Sequence, residues 1–269
     1  MFLSHHKGRP MRNLRILAAI GLLGAATAAN AGVTSTWTLT NDYDFRGISQ
    51  SAKDPAIQGS VDYAGANGWY IGAWGSNIDF GKADNIVSDA DIEVDLYTGF
   101  AGTSEGGLGW DAGLVYYTYP SASDLNYFEI YGSVSYEWFK GKLWYSDAFG
   151  GDYAQDGYSA ALGNDDASAI YVEGNANIPL PNDFSLLLHA GYSTGDYWDN
   201  LANVVNLSGS NFDGEYIDYS IGVGYTVNKF NLALKYVDTD GDLETTGDVF
   251  NNEGRVIFTI ATTFPWSND

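Results

Sequence analysis

The sequence predicts an all-β fold: a single antiparallel transmembrane β-barrel of twelve strands, with both termini on the periplasmic side. Three observations carry that prediction. Apolar and polar residues alternate with a period of two along most of the chain, which sends successive side chains to opposite faces of a strand. Beyond the N-terminal segment no apolar run reaches the roughly 18 residues that suggest a membrane-spanning helix. The links between strands alternate short and long, as in outer-membrane barrels, whereas a soluble β-sandwich filled by the same aromatics follows no such rule.

The chain opens with an export signal. Lys7, Arg9, Arg12 and Arg15 supply a positive n-region, and Ile16 to Ala28 an apolar stretch too short to cross a bilayer. Ala29-Asn30-Ala31 then offers the small residues that a signal peptidase reads. Residues 1–31 are expected to be removed, leaving 32–269 as one barrel that begins at Gly32. Met11 is an alternative start that leaves a signal of more ordinary length.

The first strand places Val33, Ser35, Trp37, Leu39, Tyr43 and Phe45 on one face and Thr34, Thr36, Thr38, Thr40, Asp42, Asp44 and Arg46 on the other. Less regular stretches at 56–64 and 69–80 follow. The next three strands set Ile92, Val94, Leu96 and Phe100 against Glu93, Asp95 and Tyr97, then Leu108, Trp110, Leu114 and Tyr116 against Asp111 and Tyr117. The third of them sets Phe128, Ile130, Val134, Tyr136 and Trp138 against Tyr127, Glu129, Tyr131 and Glu137. After a stretch at 142–149 come Ile170, Val172, Ala176 and Ile178 against Tyr171, Glu173 and Asn175, then strands over 184–194, 217–225, 230–236 and 256–264.

Short links fall at 65–68, 103–107, 139–141, 179–183 and around Asn228, and long ones at 47–55, 81–90, 119–125, 150–166, 194–214 and 239–252. Aromatics such as Tyr43, Phe45, Tyr116, Trp138, Tyr192, Tyr225, Tyr236 and Phe264 end the apolar faces, as girdle residues at a lipid–water boundary do.

Composition narrows the function. Cysteine is absent, which an envelope protein permits. The chain carries 12 basic and 34 acidic residues, and the four bases of the signal leave with it, so the mature charge is −26 and nucleic acid is excluded as a partner. Aromatics at 15 % and 33 glycines argue for a folded β protein rather than disorder.

The segment Asn41-Asp42-Tyr43-Asp44-Phe45-Arg46-Gly47-Ile48-Ser49-Gln50-Ser51, with Pro55-Ala56-Ile57-Gln58-Gly59 and Gly72-Ala73-Trp74-Gly75-Ser76-Asn77, resembles the N-terminal signature of the TorF family of proteobacterial outer-membrane proteins. Further matches are Asp95-Leu96-Tyr97, Tyr117-Thr118-Tyr119-Pro120 and Asn126-Tyr127-Phe128-Glu129. The resemblance implies a barrel and a porin, and brings no substrate or catalytic residue with it. Outer-membrane chains usually finish on Phe or Trp. Here Pro265 to Asp269 extend past Phe264, so the barrel-assembly machinery must tolerate an overhang or read Phe264 internally.

With the apolar face on lipid, the other face lines the lumen with Asp42, Asp44, Asp62, Glu93, Asp95, Asp111, Glu129, Glu173 and Asp218 against Arg46, Lys235 and Arg255. An acidic lumen favours neutral or cationic solutes. The candidate selectivity residues are Asp42, Asp44, Arg46, Glu93, Asp95, Asp111, Glu129, Glu173 and Lys235. Arg46 reads either as an ion-pair partner of Asp42 and Asp44 or as a constriction residue, and Gly47 as a turn needing positive φ.

The expected function is passive diffusion of small hydrophilic solutes across the outer membrane, with lipid and lipopolysaccharide around the barrel. No cofactor, metal or catalysis is expected. The alternative is a plugged, non-conducting barrel with a structural or adhesive role. Enzymatic barrels need a base, and the mature chain offers only His189, without a serine placed as its nucleophile. Asp238-Thr239-Asp240-Gly241-Asp242 lacks EF-hand spacing and reads as a solvated loop or a weak calcium contact.

Overall fold

The computed structural model describes residues 32–80, 90–206, 211–241 and 252–266. The signal, the last three residues, Asp242 and parts of three long links lie outside them.

From the N-terminus, β1 (Gly32–Thr40) leads into a small hairpin of β2 (Asp44–Phe45) and β3 (Ile48–Ser49). Then come β4 (Ala56–Ala64), β5 (Trp69–Asn77), β6 (Ile92–Thr103), β7 (Gly109–Thr118), β8 (Tyr127–Tyr136), β9 (Phe139–Ser146), α1 (Gly151–Leu162) and β10 (Ala169–Pro179). The chain continues with β11 (Phe184–Thr194), α2 (Asp196–Asn206), β12 (Tyr216–Val227), β13 (Phe230–Thr239) and β14 (Arg255–Phe264). Twelve of these strands, all but β2 and β3, form a closed antiparallel barrel in sequence order. β1 is the seam, pairing Trp37 with Gly59 of β4 on one side and Ser35 with Phe264 of β14 on the other.

The alternation places the large apolar side chains outside: Leu96 is 50 % exposed, Ile130 59 % and Ile221 56 %. Their neighbours Glu93, Asp95, Glu129 and Asp218 are buried within. A soluble sandwich buries the opposite set. Among the described residues no helix is long and apolar enough to cross a membrane.

All short turns lie at one rim and all long links at the other, and both described chain ends lie at the short-turn rim. One turn differs from expectation. The β8–β9 connection is Glu137–Trp138, with Glu137 at φ 53, so Phe139 already belongs to β9 and Glu137 is an exposed turn residue rather than a lumen one. A two-residue hairpin of this kind needs left-handed backbone but no glycine, so the alternating pattern runs straight through it.

A larger correction concerns the first strand, which stops at Thr40. The Asn41 amide donates to the Val256 carbonyl (3.1 Å) and accepts from the Phe258 N–H (2.6 Å), taking over the rung that the next backbone unit would fill. The chain then turns inward. Tyr43 is buried against Trp74 (ring centroids 5.3 Å apart) and Phe45 packs on Tyr117 (6.1 Å), so neither is a girdle residue.

The long links carry helices that the strand pattern does not announce. α2 buries Trp198, Leu201, Ala202 and Val205, spaced for one helical face. α1 buries Ala154 and Tyr158 and ends at Gly163, whose φ of 71 suits a left-handed cap. Tyr158 meets Tyr197 (5.7 Å) and Phe149 meets Trp198 (5.8 Å), which closes an aromatic layer over the long-loop rim.

Candidate functional site

The site is the barrel interior. It is asymmetric along its axis. Interior-facing Ser60, Asp62, Asn175 and Asn231, from mid-barrel toward the short-turn rim, are half-exposed. Toward the other rim, Tyr117, Tyr127, Glu129, Ser146, Tyr171 and Tyr216 are buried, because segment 41–55 fills the space between them.

Two arginines hold that segment. Arg255 of β14 pairs through Nε with Asp42 and through Nη2 with Asp44, while Nη1 donates to the Gly47 carbonyl (2.9 Å). Asp42 also accepts from the hydroxyls of Ser49 (2.5 Å) and Ser51 (3.2 Å). Burial raises the Asp44 carboxyl above its usual range, and Arg255 opposes that shift. Gly47 has φ 82, as expected, and a Cβ there would collide with Asp218 and Thr239.

Arg46 carries the second hold. It does not pair with Asp42 or Asp44, because its own φ of 53 swings it away from them. Its Nη2 reaches Glu129 on β8 at 2.6 Å, on the far wall from β1. The guanidinium lies over Tyr171 (4.4 Å), Phe45 (4.7 Å), Trp144 (5.5 Å) and Phe149 (5.5 Å). Burial disfavours its charge, but Glu129 and the surrounding tyrosines outweigh burial and hold its pKa above the ordinary arginine value.

The remaining candidates separate into clusters. Glu93 accepts from the Tyr43 hydroxyl (3.3 Å), and Asp95, next on the same face of β6, has no hydrogen-bond partner on either oxygen among the described residues. Asp111 accepts from Tyr70 (2.6 Å), nearer the short-turn rim. Glu173 accepts from Trp144 Nε1 (2.9 Å) and Asn175 (2.7 Å). Lys235 lies within electrostatic reach of Asp44.

Two bases escaped the sequence reading. Lys142 is buried with its Nζ 3.6 Å from the Tyr131 and Trp144 ring centroids and without a hydrogen-bond acceptor among the described residues, and Lys140 faces the same interior two residues earlier. The displaced β8–β9 turn hid the alternation that would have found them. His189 bonds to Asp218 (2.7 Å), Asn175 (2.8 Å) and Tyr171 (3.1 Å), and no three metal-ligating side chains converge among the described residues.

An apolar exterior, a charged, hydrogen-bonded interior and strands paired in sequence order define a closed up-and-down β-barrel of twelve strands. The chain belongs to the Gcw_chp family, described as a bacterial protein of unknown function, whose model matches residues 24–264. The fold is similar to that of the NanC porin, at 10 % identity over 87 % of this chain and 100 % of that one with a TM-score of 0.50. A structure from work on in-meso crystallization of membrane proteins matches at 10 % identity over 89 % of this chain and 86 % of its own, also at 0.50. The KdgM porin matches at 7 % identity over 87 % and 99 %, with a TM-score of 0.49. Identities this low speak to fold alone. No curated protein matches the sequence.

Proposed function

We propose that the protein is an outer-membrane channel for passive diffusion of small hydrophilic solutes, neutral or cationic, with the long loops outside the cell. The observation that carries this reading is the reversal of burial: large apolar side chains exposed around the whole barrel, and carboxylates enclosed within it. Exposed backbone edges are impossible in lipid, and a closed barrel leaves none. Among the described residues nine acids face the interior (Asp42, Asp44, Asp62, Glu93, Asp95, Asp111, Glu129, Glu173, Asp218). Facing them are Arg46, Lys140, Lys142, Lys235 and Arg255, so the acidic excess is smaller than the sequence suggests.

The packed segment 41–55 favours a second reading, a non-conducting barrel with a structural or adhesive role. Conductance separates the two. Folded, purified protein in a planar bilayer is expected to give stepwise current, and silence from verified barrels overturns the channel. Fractionated cells should hold the protein in the outer membrane with Gly32 at its N-terminus, and recovery from the soluble periplasm ends both readings.

A further inference from the structure

Arg46 behaves less like a wall residue than like a ligand. It arrives on a segment that is not part of the barrel, and its guanidinium sits among aromatic rings contributed by the far wall and the link after β9. Its carboxylate partner is engaged by one oxygen only. Glu129 Oε2 takes the 2.6 Å bond, whereas Oε1 is buried without a hydrogen-bond partner among the described residues, in a residue that is 0 % exposed. A guanidinium has a planar fork suited to both oxygens of a carboxylate, and its weak hydration and flat faces suit aromatic rings. The backbone that tethers Arg46 leaves the second prong unused.

We infer that this cage is a binding site for organic cations of the guanidinium class, which Arg46 occupies as a tethered stand-in. A free guanidinium is not bound by the tether and can engage both Glu129 oxygens. It therefore competes with Arg46 and releases segment 41–55. A bare metal ion fits poorly, since no set of three ligating side chains converges among the described residues. The inference names the solute class for the channel proposed above, yet the binding step stands apart from conduction and is read in detergent micelles.

The probe is methylguanidinium, with methylammonium at equal ionic strength as control. In Arg46→Ala the cage is empty, and methylguanidinium should raise the thermal unfolding midpoint saturably. Adding Glu129→Gln should weaken that response about tenfold or more in apparent affinity, the scale of one lost charged hydrogen bond. Equal responses in the single and double variants, or equal responses to both probes, overturn the site. Should Arg46→Ala not refold, the wild-type protein supplies the test by trypsin cleavage after Arg46, which is buried when the segment is seated. Methylguanidinium should accelerate that cleavage and methylammonium should not, and an unchanged rate overturns the inference. Failure of the channel reading appears separately, as absent current from a barrel that still binds.

Discussion

At the scale of single residues, the interior is governed by charges that cannot be separated cheaply. Removing one member of a buried pair strands the other, at about 3–5 kcal/mol, whereas replacing both by apolar residues of similar size is often neutral. Glu129→Leu should therefore lower stability by about 3–5 kcal/mol, and Arg46→Met combined with Glu129→Leu should restore most of that loss, as measured by denaturant midpoints of the refolded barrel. Two equally unstable variants would mean that the pair is not the hold described. The sequence places both residues in the interior but cannot join them, because Arg46 and Glu129 are brought together by the course of a non-strand segment. The same-strand spacing of Asp42, Asp44 and Arg46 suggested a local cluster instead, and the left-handed backbone at Arg46 defeats it.

At the scale of elements, strand faces are legible because period-two alternation has one physical solution in a half-lipid, half-polar setting. Arg placed at Leu96, Ile130 or Ile221 should cost about 2–4 kcal/mol near the bilayer midplane, read by refolding in lipid. Ser220, half-buried on the interior face between Tyr219 and Ile221, should tolerate Arg far better. Glu93 and Glu129 are unsuitable comparisons, since the structure packs them too tightly to admit a larger side chain. Damage at Ser220 equal to that at Ile221 would reverse the assignment of inside and outside. The inward turn after Thr40 is not legible in the same way. Tyr43 and Phe45 keep the strand period, and only the side-chain bonds of Asn41 reveal that the ladder has ended. Replacing residues 42–54 by a short Gly/Ser link should leave the twelve-strand wall folded and raise single-channel conductance. An unchanged current would show that the segment does not obstruct the path.

For the whole molecule, closure and polarity follow from the sequence, while the filling of the long-loop half does not, because it depends on links whose helices form only by packing on one another. Charge predicts a modest preference for cations. The preference should weaken as salt rises and the Debye length falls from about 10 Å at 0.1 M to about 3 Å at 1 M. Glu93→Gln with Asp95→Asn should reduce it further without the loss of stability expected at Glu129, since neither residue forms a salt bridge among the described residues. Reversal potentials under a salt gradient measure this, and an anion-selective wild-type pore would refute it.

The grip of Arg255 on Asp42 and Asp44 joins positions 213 and 211 residues apart in the chain. Arg255 lies on β14 and segment 41–55 leaves the end of β1, so this grip can form only once β14 pairs beside β1. Sealing the wall and latching the interior thus become one event in time. A chain arrested before that event would present both a free sheet edge and an inner segment still without its Arg255 latch, two signs of immaturity that disappear together.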